Sequence, residues 1–280
     1  MHPSIQALID AALSEDLGKA GDVTSRYFIP EAAKSSARIL AKADGVLSGM
    51  AVAAAVLKKV DPKLRLKRLK QDGEPFARGE VVGVITGPTR SLLTAERTLL
   101  NFIQRLSGVA TTTRRHVEEV AGTNVILLDT RKTTPGWRLL EKAAVKHGGG
   151  TNHRMGLYDA VMVKDNHLTA CGTLIKLQAA LDAVRKAFPK MKIQLEAASL
   201  EQFEAFLTLR HVDSVLLDNM TPAQLKKAVK LNAGRLFLEA SGGITLKTIR
   251  RFAETGVDAI SVGALTHSAG SIDLSLEFDE

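Results

Sequence analysis

In the second half of the chain, short apolar runs end again and again in a polar residue, with helical patterns between them. "IQL" is followed by Glu196, "SVLL" by Asp218 and Asn219, "LFL" by Glu239, Ser241 and Gly242, and "AISV" by Gly263. Apolar residues at helical spacing fill residues 200–209 and 222–231, so a strand and a helix together take about twenty residues, the length of a β-α unit. This rhythm predicts a parallel α/β barrel of the triosephosphate-isomerase type, with six strands recognisable from their runs and one more expected that shows no pattern of its own.

The cations concentrate where such a barrel binds ligands. "NVILL", residues 124–128, reads as a fully buried strand, which puts Asp129, Arg131 and Lys132 directly at its carboxyl end. Arg154 lies in the Gly-rich stretch "GGGTNHRMG", and Lys164 and Asp165 follow the next run, "AVMV". Ligands of parallel α/β sheets bind at that edge, and these residues predict a small, highly charged anion. The last two units supply "EASGG" and "VGALTHS", backbone-rich loops of the kind that hold phosphate on exposed N–H groups.

The first hundred residues are organised differently. A helical pattern at residues 5–13 precedes "GDVTS", and strand-like segments at 37–41, 64–69 and 81–85 surround a helix at 50–60. We assign residues 1–112 to an N-terminal α+β, sandwich-like domain with a bridging helix from residue 92 onward, and residues 113–280 to an incomplete parallel barrel. A net charge of +8 admits nucleic acid as a partner, and "LRLKRLK" puts four cations in seven residues. The alternation there fits a solvated edge strand, and with two Tyr, one Trp and no nucleic-acid module in the chain, nucleic acid is set aside. The apolar stretches are too short to span a bilayer, and the first residues carry no secretory pattern. The lone Cys171, read as a small residue near a helix start, fits a reducing compartment, so a cytoplasmic location is expected.

Several polar residues have bland readings on their own. Glu96 and Arg97 are adjacent and look like a solvent-facing ion pair. His147 stands at a helix C-terminus before Gly148, His167 in a loop after Asn166, and Trp137 packs a helix start behind the Pro-Gly turn. With one Cys, the histidines complete no zinc pattern.

The run "LLDTRKTTPGWRLLEKAAVKHGGGTNHRMGLYDAVMVKDNH", with "AERTLLNFIQRLSGVAT" before it and "LLDNM", "LEASGGI" and "ISVGALTHS" after it, resembles the quinolinate phosphoribosyltransferase (nicotinate-nucleotide pyrophosphorylase, carboxylating) family. The likeness extends to "EDLGKAGDVTS" and "ADGVLSGM" near the start. It implies transfer of phosphoribose from phosphoribosyl pyrophosphate to quinolinate with loss of carbon dioxide, giving nicotinate mononucleotide and pyrophosphate. It also implies a dicarboxylate pocket from Arg131, His153 and Arg154, with Arg97 supplied by a neighbouring subunit and Lys132 and Lys164 near the reacting groups. Glu196 and Asp218 match the family's acids for the ribose and for Mg²⁺, and Ser241, Gly242, Gly243, Gly263 and His267 match its 5′-phosphate site. A homodimer with shared active sites, or a hexamer, follows from the same likeness. Gln194 departs from it, since an acidic residue often stands two before the catalytic Glu. Two alternatives sit beside this reading: a molybdenum-transport-associated relative on the same fold with another substrate, and a non-catalytic anion-binding protein.

Overall fold

The structure, a computed structural model, describes residues 1–278. In chain order the elements are α1 (Pro3–Leu17), α2 (Val23–Phe28), β1 (Lys34–Ala41), β2 (Gly45–Val46), α3 (Met50–Val60), β3 (Arg65–Arg68), β4 (Pro75–Phe76), β5 (Val81–Pro88) and the long α4 (Thr89–Glu119). There follow β6 (Ile126–Leu128), α5 (Arg138–His147), β7 (Val161–Val163), α6 (Asp165–Cys171), α7 (Leu174–Ala187), β8 (Ile193–Ala197) and α8 (Leu200–Phe206). The chain ends through β9 (Ser214–Asp218), α9 (Pro222–Asn232), β10 (Phe237–Ser241), α10 (Ile249–Ala253), β11 (Ala259–Ser261), α11 (Ala264–His267) and β12 (Leu274–Phe278).

Two compact units result. The first comprises Met1–Arg114, Thr133–Gly149 and Leu265–Glu280, the second Arg115–Lys132 and Gly150–Ala264. The division near residue 114 lies beside the boundary expected at 112, but two later segments join the first unit. Contacts inside that unit explain why. β12 pairs antiparallel with β1, from Ala37 opposite Phe278 to Ala41 opposite Leu274. Gly108 of α4 touches the last segment so closely that a Cβ there would sit 1.8 Å from the Gly270 carbonyl oxygen. Arg105, on the same helix, donates to the Thr266 carbonyl at 2.6 Å and to the fully buried Glu141 of α5 at 2.7 Å.

The first unit is built on an antiparallel sheet of order β12-β1-β5-β3. Ala37, Ile39 and Ala41 of β1 alternate with more exposed positions, which gives the sheet one buried face. The cationic segment is β3, an edge strand with Arg65, Lys67 and Arg68 exposed, as its alternation predicts. On α4, Leu92, Leu99, Phe102, Ile103 and Leu106 are buried, each contributing about 1.5–3 kcal/mol on transfer from water. Trp137 precedes α5 and stacks on Phe102 with centroids 4.8 Å apart, the packing role expected of it.

The second unit holds a fully parallel sheet of order β6-β11-β10-β9-β8-β7. A parallel bridge between Leu128 and Thr151 extends it past β6, a single bridged pair at the place where a seventh strand was expected. The cyclic strand order is that of a barrel, and no ladder joins β7 to the Thr151 bridge among the described residues, so the barrel stays incomplete. Three of the helices between strands start on side-chain caps: Thr173 for α7, Ser199 for α8, and for α9 a capping box of Thr221 and Gln224 with Pro222 at its first turn.

Two local expectations change. β6 is shorter than residues 124–128, and its first residue, Ile126, is exposed, because the ladder to β11 begins only there. His167 is inside α6 rather than in a loop, its Nδ1 accepting the Lys164 backbone N–H at 3.0 Å and so capping that helix. Cys171 ends α6 and lies two residues before Thr173, the N-cap of α7, so it does stand near a helix start.

Candidate functional site

The ladder registers of the second unit decide which side chains share a face. Glu196 of β8 is level with Leu216 of β9, Leu216 with Glu239 of β10, and Asp218 with Ser241. Because alternate strand residues point to one side, Gln194, Glu196, Asp218, Glu239 and Ser241 line a single face of the sheet. Lys164, just beyond β7, joins this group through an ion pair of its Nζ with Glu196 Oε2 at 3.3 Å.

The first cationic loop is held by a buried acid. Asp129, fully buried after β6, accepts the His153 backbone N–H at 2.8 Å on Oδ1, while its own N–H donates to the Thr151 carbonyl. Asp129 thus ties the segment bearing His153 and Arg154 to the end of β6. Arg131 and Lys132 follow it, Arg131 half-buried and Lys132 exposed.

Arg154 is half-buried as well. Its guanidinium donates to the Ala160 carbonyl at 3.1 Å and lies 3.6 Å from the Met162 sulfur. Burial lowers its pKa from the ordinary arginine value, the charge of Arg131 lowers it further, and Asp159 acts in the opposite sense. Asp159 accepts the Met155 and Gly156 N–H groups at 2.6 and 2.9 Å, which fixes the turn after Arg154. Two guanidinium groups therefore repel each other at partly desolvated positions, an arrangement stabilised by an anion with charge for both.

The acids of this face have complementary partners. Asp218 Oδ2 accepts the Asn219 side-chain amide at 2.7 Å, and Asn219 takes a left-handed conformation, φ 54°. The Asn219 backbone N–H donates to the Ser241 carbonyl at 2.9 Å, which brings the two loops together. Gly242 has φ 96°, and a Cβ on it would lie 2.2 Å from Asn219 Oδ1 and 2.8 Å from Asn219 N. Gly243 has φ 62° and open space around it. Two positive-φ glycines follow β10, and the open space beside Gly243 lets a ligand approach the bare backbone there.

No group of three or more His, Cys, Asp and Glu side chains among the described residues could hold a metal by itself. Mg²⁺ takes one or two protein carboxylates and completes its shell with water and substrate phosphate oxygens. Glu196 and Asp218, hard oxygen donors on one face of neighbouring strands, fit that requirement.

Of the residues expected at the site, Arg131, Lys132, His153, Arg154, Lys164, Glu196, Asp218, Ser241, Gly242, Gly243 and Gly263 all fall in the second unit. Arg97, exposed on α4, and His267, whose ring nitrogen meets the Ser268 hydroxyl at 2.7 Å, belong to the first. His147 does end α5, and in addition its Nδ1 lies 2.8 Å from the Ser48 hydroxyl. The residue that sequence reasoning passed over is Glu239. It is almost fully buried, and its Oε2 takes the Gln194 amide at 2.8 Å and faces His153 Nε2 at 3.2 Å. The signal was present as a glutamate inside an apolar run, with Gln194 similarly placed two strands away.

Known proteins resemble this chain over its whole length. Residues 22–107 match the family of the quinolinate phosphoribosyl transferase N-terminal domain, and residues 109–277 that of its C-terminal domain. A chloroplastic nicotinate-nucleotide pyrophosphorylase (carboxylating) of Arabidopsis thaliana is 39% identical over 295 residues, covering 99% of this chain and 84% of the relative. A probable nicotinate-nucleotide pyrophosphorylase (carboxylating) of Bacillus subtilis is 40% identical over 276 residues, covering 99% and 94%. Among solved structures, the nicotinate-nucleotide pyrophosphorylase of Francisella tularensis superposes with a TM-score of 0.93 at 36% identity, covering 100% of this chain and 98% of that one.

Proposed function

The chain belongs to the quinolinate phosphoribosyltransferase family, and on that premise we propose that Arg131 and Arg154 capture the two carboxylates of quinolinate while Glu196 and Asp218 serve the ribosyl donor. The reaction is transfer of phosphoribose from phosphoribosyl pyrophosphate to the pyridine nitrogen with decarboxylation, giving nicotinate mononucleotide, pyrophosphate and carbon dioxide. The observation that carries the assignment is geometric: buried Asp129 ties the segment bearing half-buried Arg154 to the end of β6, where half-buried Arg131 follows, and a dicarboxylate has a charge for each guanidinium.

No side chain needs to act as a nucleophile, since the ring nitrogen attacks C1 of the ribose. As the C1–oxygen bond breaks, positive charge grows on the sugar, and the carboxylates of Glu196 and Asp218 stabilise it. Lys164, paired with Glu196, carries a cation to the same spot without leaving its acid partner. Mg²⁺ would be held by Glu196 and Asp218 together with the pyrophosphate, where it offsets charge on the leaving group. The 5′-phosphate is assigned to the N–H groups around Ser241, Gly242, Gly243 and Gly263, with His267 added by family likeness. Once alkylated, the ring nitrogen is a cation whose charge stabilises the electron pair that stays on the adjacent C2 when the carboxylate departs as carbon dioxide, and Lys132 or Lys164 delivers the proton to that carbon.

We further read Arg97 as the ligand that one subunit lends to the pocket of another in a homodimer, a reading its exposure on α4 supports. The lone Cys171 supports a reducing, cytoplasmic setting. Among the described residues no helix is long and apolar enough to cross a membrane. Calorimetric titration with quinolinate and with nicotinate tests the pocket. Quinolinate binds and nicotinate, lacking one carboxylate, binds at least about tenfold more weakly, whereas equal affinity removes the paired-arginine assignment.

A further inference from the structure

Glu239 is among the least exposed charged side chains of the barrel, and it shares the sheet face and the level of Glu196. Its Oε2 is shared by the Gln194 amide at 2.8 Å and His153 Nε2 at 3.2 Å, and the Ser261 side chain on the neighbouring strand hydrogen-bonds the same carboxylate. A carboxylate so buried is costly unless it orders something else. The next link shows what that is. His153 Nδ1 lies 2.7 Å from the Arg154 backbone nitrogen, which carries a hydrogen, so Nδ1 is the acceptor and the ring proton resides on Nε2. The Nε2–H group then donates to Glu239. Gln194, Glu239, His153 and the Arg154 backbone form one connected series, each member fixing the next.

We propose that Glu239 is a positioning residue for dicarboxylate capture: through the ring of His153 it fixes the backbone at Arg154 and so aims the Arg154 guanidinium. Gln194 has its own part in this. Its neutral amide donates to Glu239, where an acid would set a second carboxylate against the first and require a shared proton. The departure at position 194 thereby keeps Glu239 available to His153. This inference rests on the reading of Arg154 as a quinolinate ligand.

The test uses the full-length protein. Ring ¹⁵N spectra of His153 in the wild type report the tautomer without any substitution. A proton on Nε2 with Nδ1 bare is expected, and a proton on Nδ1 overturns the proposal. Quinolinate and phosphoribosyl pyrophosphate affinities are then measured calorimetrically in four variants. Glu239→Leu combined with Gln194→Leu, which leaves no stranded amide, weakens quinolinate about tenfold and leaves phosphoribosyl pyrophosphate unchanged. Glu239→Gln still accepts the His153 N–H and recovers most of the loss, whereas a loss as large as in the double variant overturns the proposal; His153→Leu alone, which removes the pocket's own imidazole as well as the series, weakens quinolinate more than the double variant does. Arg154→Ala separates the two claims. If it weakens quinolinate while the Glu239 variants do not, the positioning role is wrong and the pocket stands; if Arg154→Ala has no effect, the pocket itself is misassigned.

Discussion

Gly242 offers a prediction whose size follows from geometry. At φ 96° an alanine pays backbone strain, and its Cβ would lie 2.2 Å from Asn219 Oδ1, 2.6 Å from Asn219 Cγ and 2.8 Å from Asn219 N. Strain of this kind costs about 1–2 kcal/mol, and overpacking against a neighbour that cannot withdraw adds about 1–3 kcal/mol. Gly243, at φ 62° with nothing within 4 Å, is the internal control, because Gly243→Ala carries the strain without the collision. We expect Gly243→Ala to lose about 1 kcal/mol and Gly242→Ala about 3 kcal/mol in urea titrations. The collision has a functional direction too. Asn219 holds Asp218 through the 2.7 Å amide contact and Ser241 through its backbone N–H, so displacing Asn219 moves an acid assigned to catalysis. Gly242→Ala should therefore lower kcat as well as raise the KM for phosphoribosyl pyrophosphate, whereas Gly243→Ala affects mainly KM. Asn219→Gly, placed at a residue already left-handed, removes two of the three colliding atoms and should return part of the stability loss, but not of kcat, since it also removes the amide that holds Asp218. Equal stabilities for the two alanine variants, or no rescue of stability by Asn219→Gly, would refute the reasoning.

Arg154→Ala weakens quinolinate binding by about 2 kcal/mol, near thirtyfold, and leaves phosphoribosyl pyrophosphate binding nearly intact; calorimetry with both ligands checks this. Glu196→Gln and Asp218→Asn lower kcat about a hundredfold or more. Their melting temperatures change little, because the half-exposed Lys164–Glu196 pair contributes about 1 kcal/mol at most. Unchanged kcat in both variants would reduce these acids to structural roles. Mixing Arg97→Ala with Glu196→Gln, each nearly inactive, restores about one site per mixed dimer after subunit exchange verified by mass spectrometry. Absence of recovery would put Arg97 in its own subunit's site or outside any site. Chelating Mg²⁺ stops turnover while quinolinate still binds, as its affinity by calorimetry in the presence of chelator will show.

The barrel was legible because each buried strand is a short apolar run closed by a polar group, a pattern independent of distant partners. β12 was not, since "LSLEF" acquires its meaning only by pairing with β1 more than two hundred residues earlier in the chain. α2 and α6 are short and lack an apolar stripe; capping by Asp22 and by His167 starts them, and no periodicity announces such helices. At the site, strand ends marked Glu196 and Asp218 directly, while Arg97 looked like half of an ion pair and gained a role only through family likeness. Glu239 escaped because a strand glutamate is identical in sequence whether it faces solvent or a buried histidine. The ladder register alone distinguishes the two.

The most direct test supplies the protein with phosphoribosyl pyrophosphate, Mg²⁺ and quinolinate carrying ¹³C in the 2-carboxylate, and counts all three products in the same reaction. One labelled carbon dioxide for each pyrophosphate and each nicotinate mononucleotide is the expected result, with no product when nicotinate replaces quinolinate. Pyrophosphate released without labelled carbon dioxide, or nicotinate turned over as fast as quinolinate, would contradict the account.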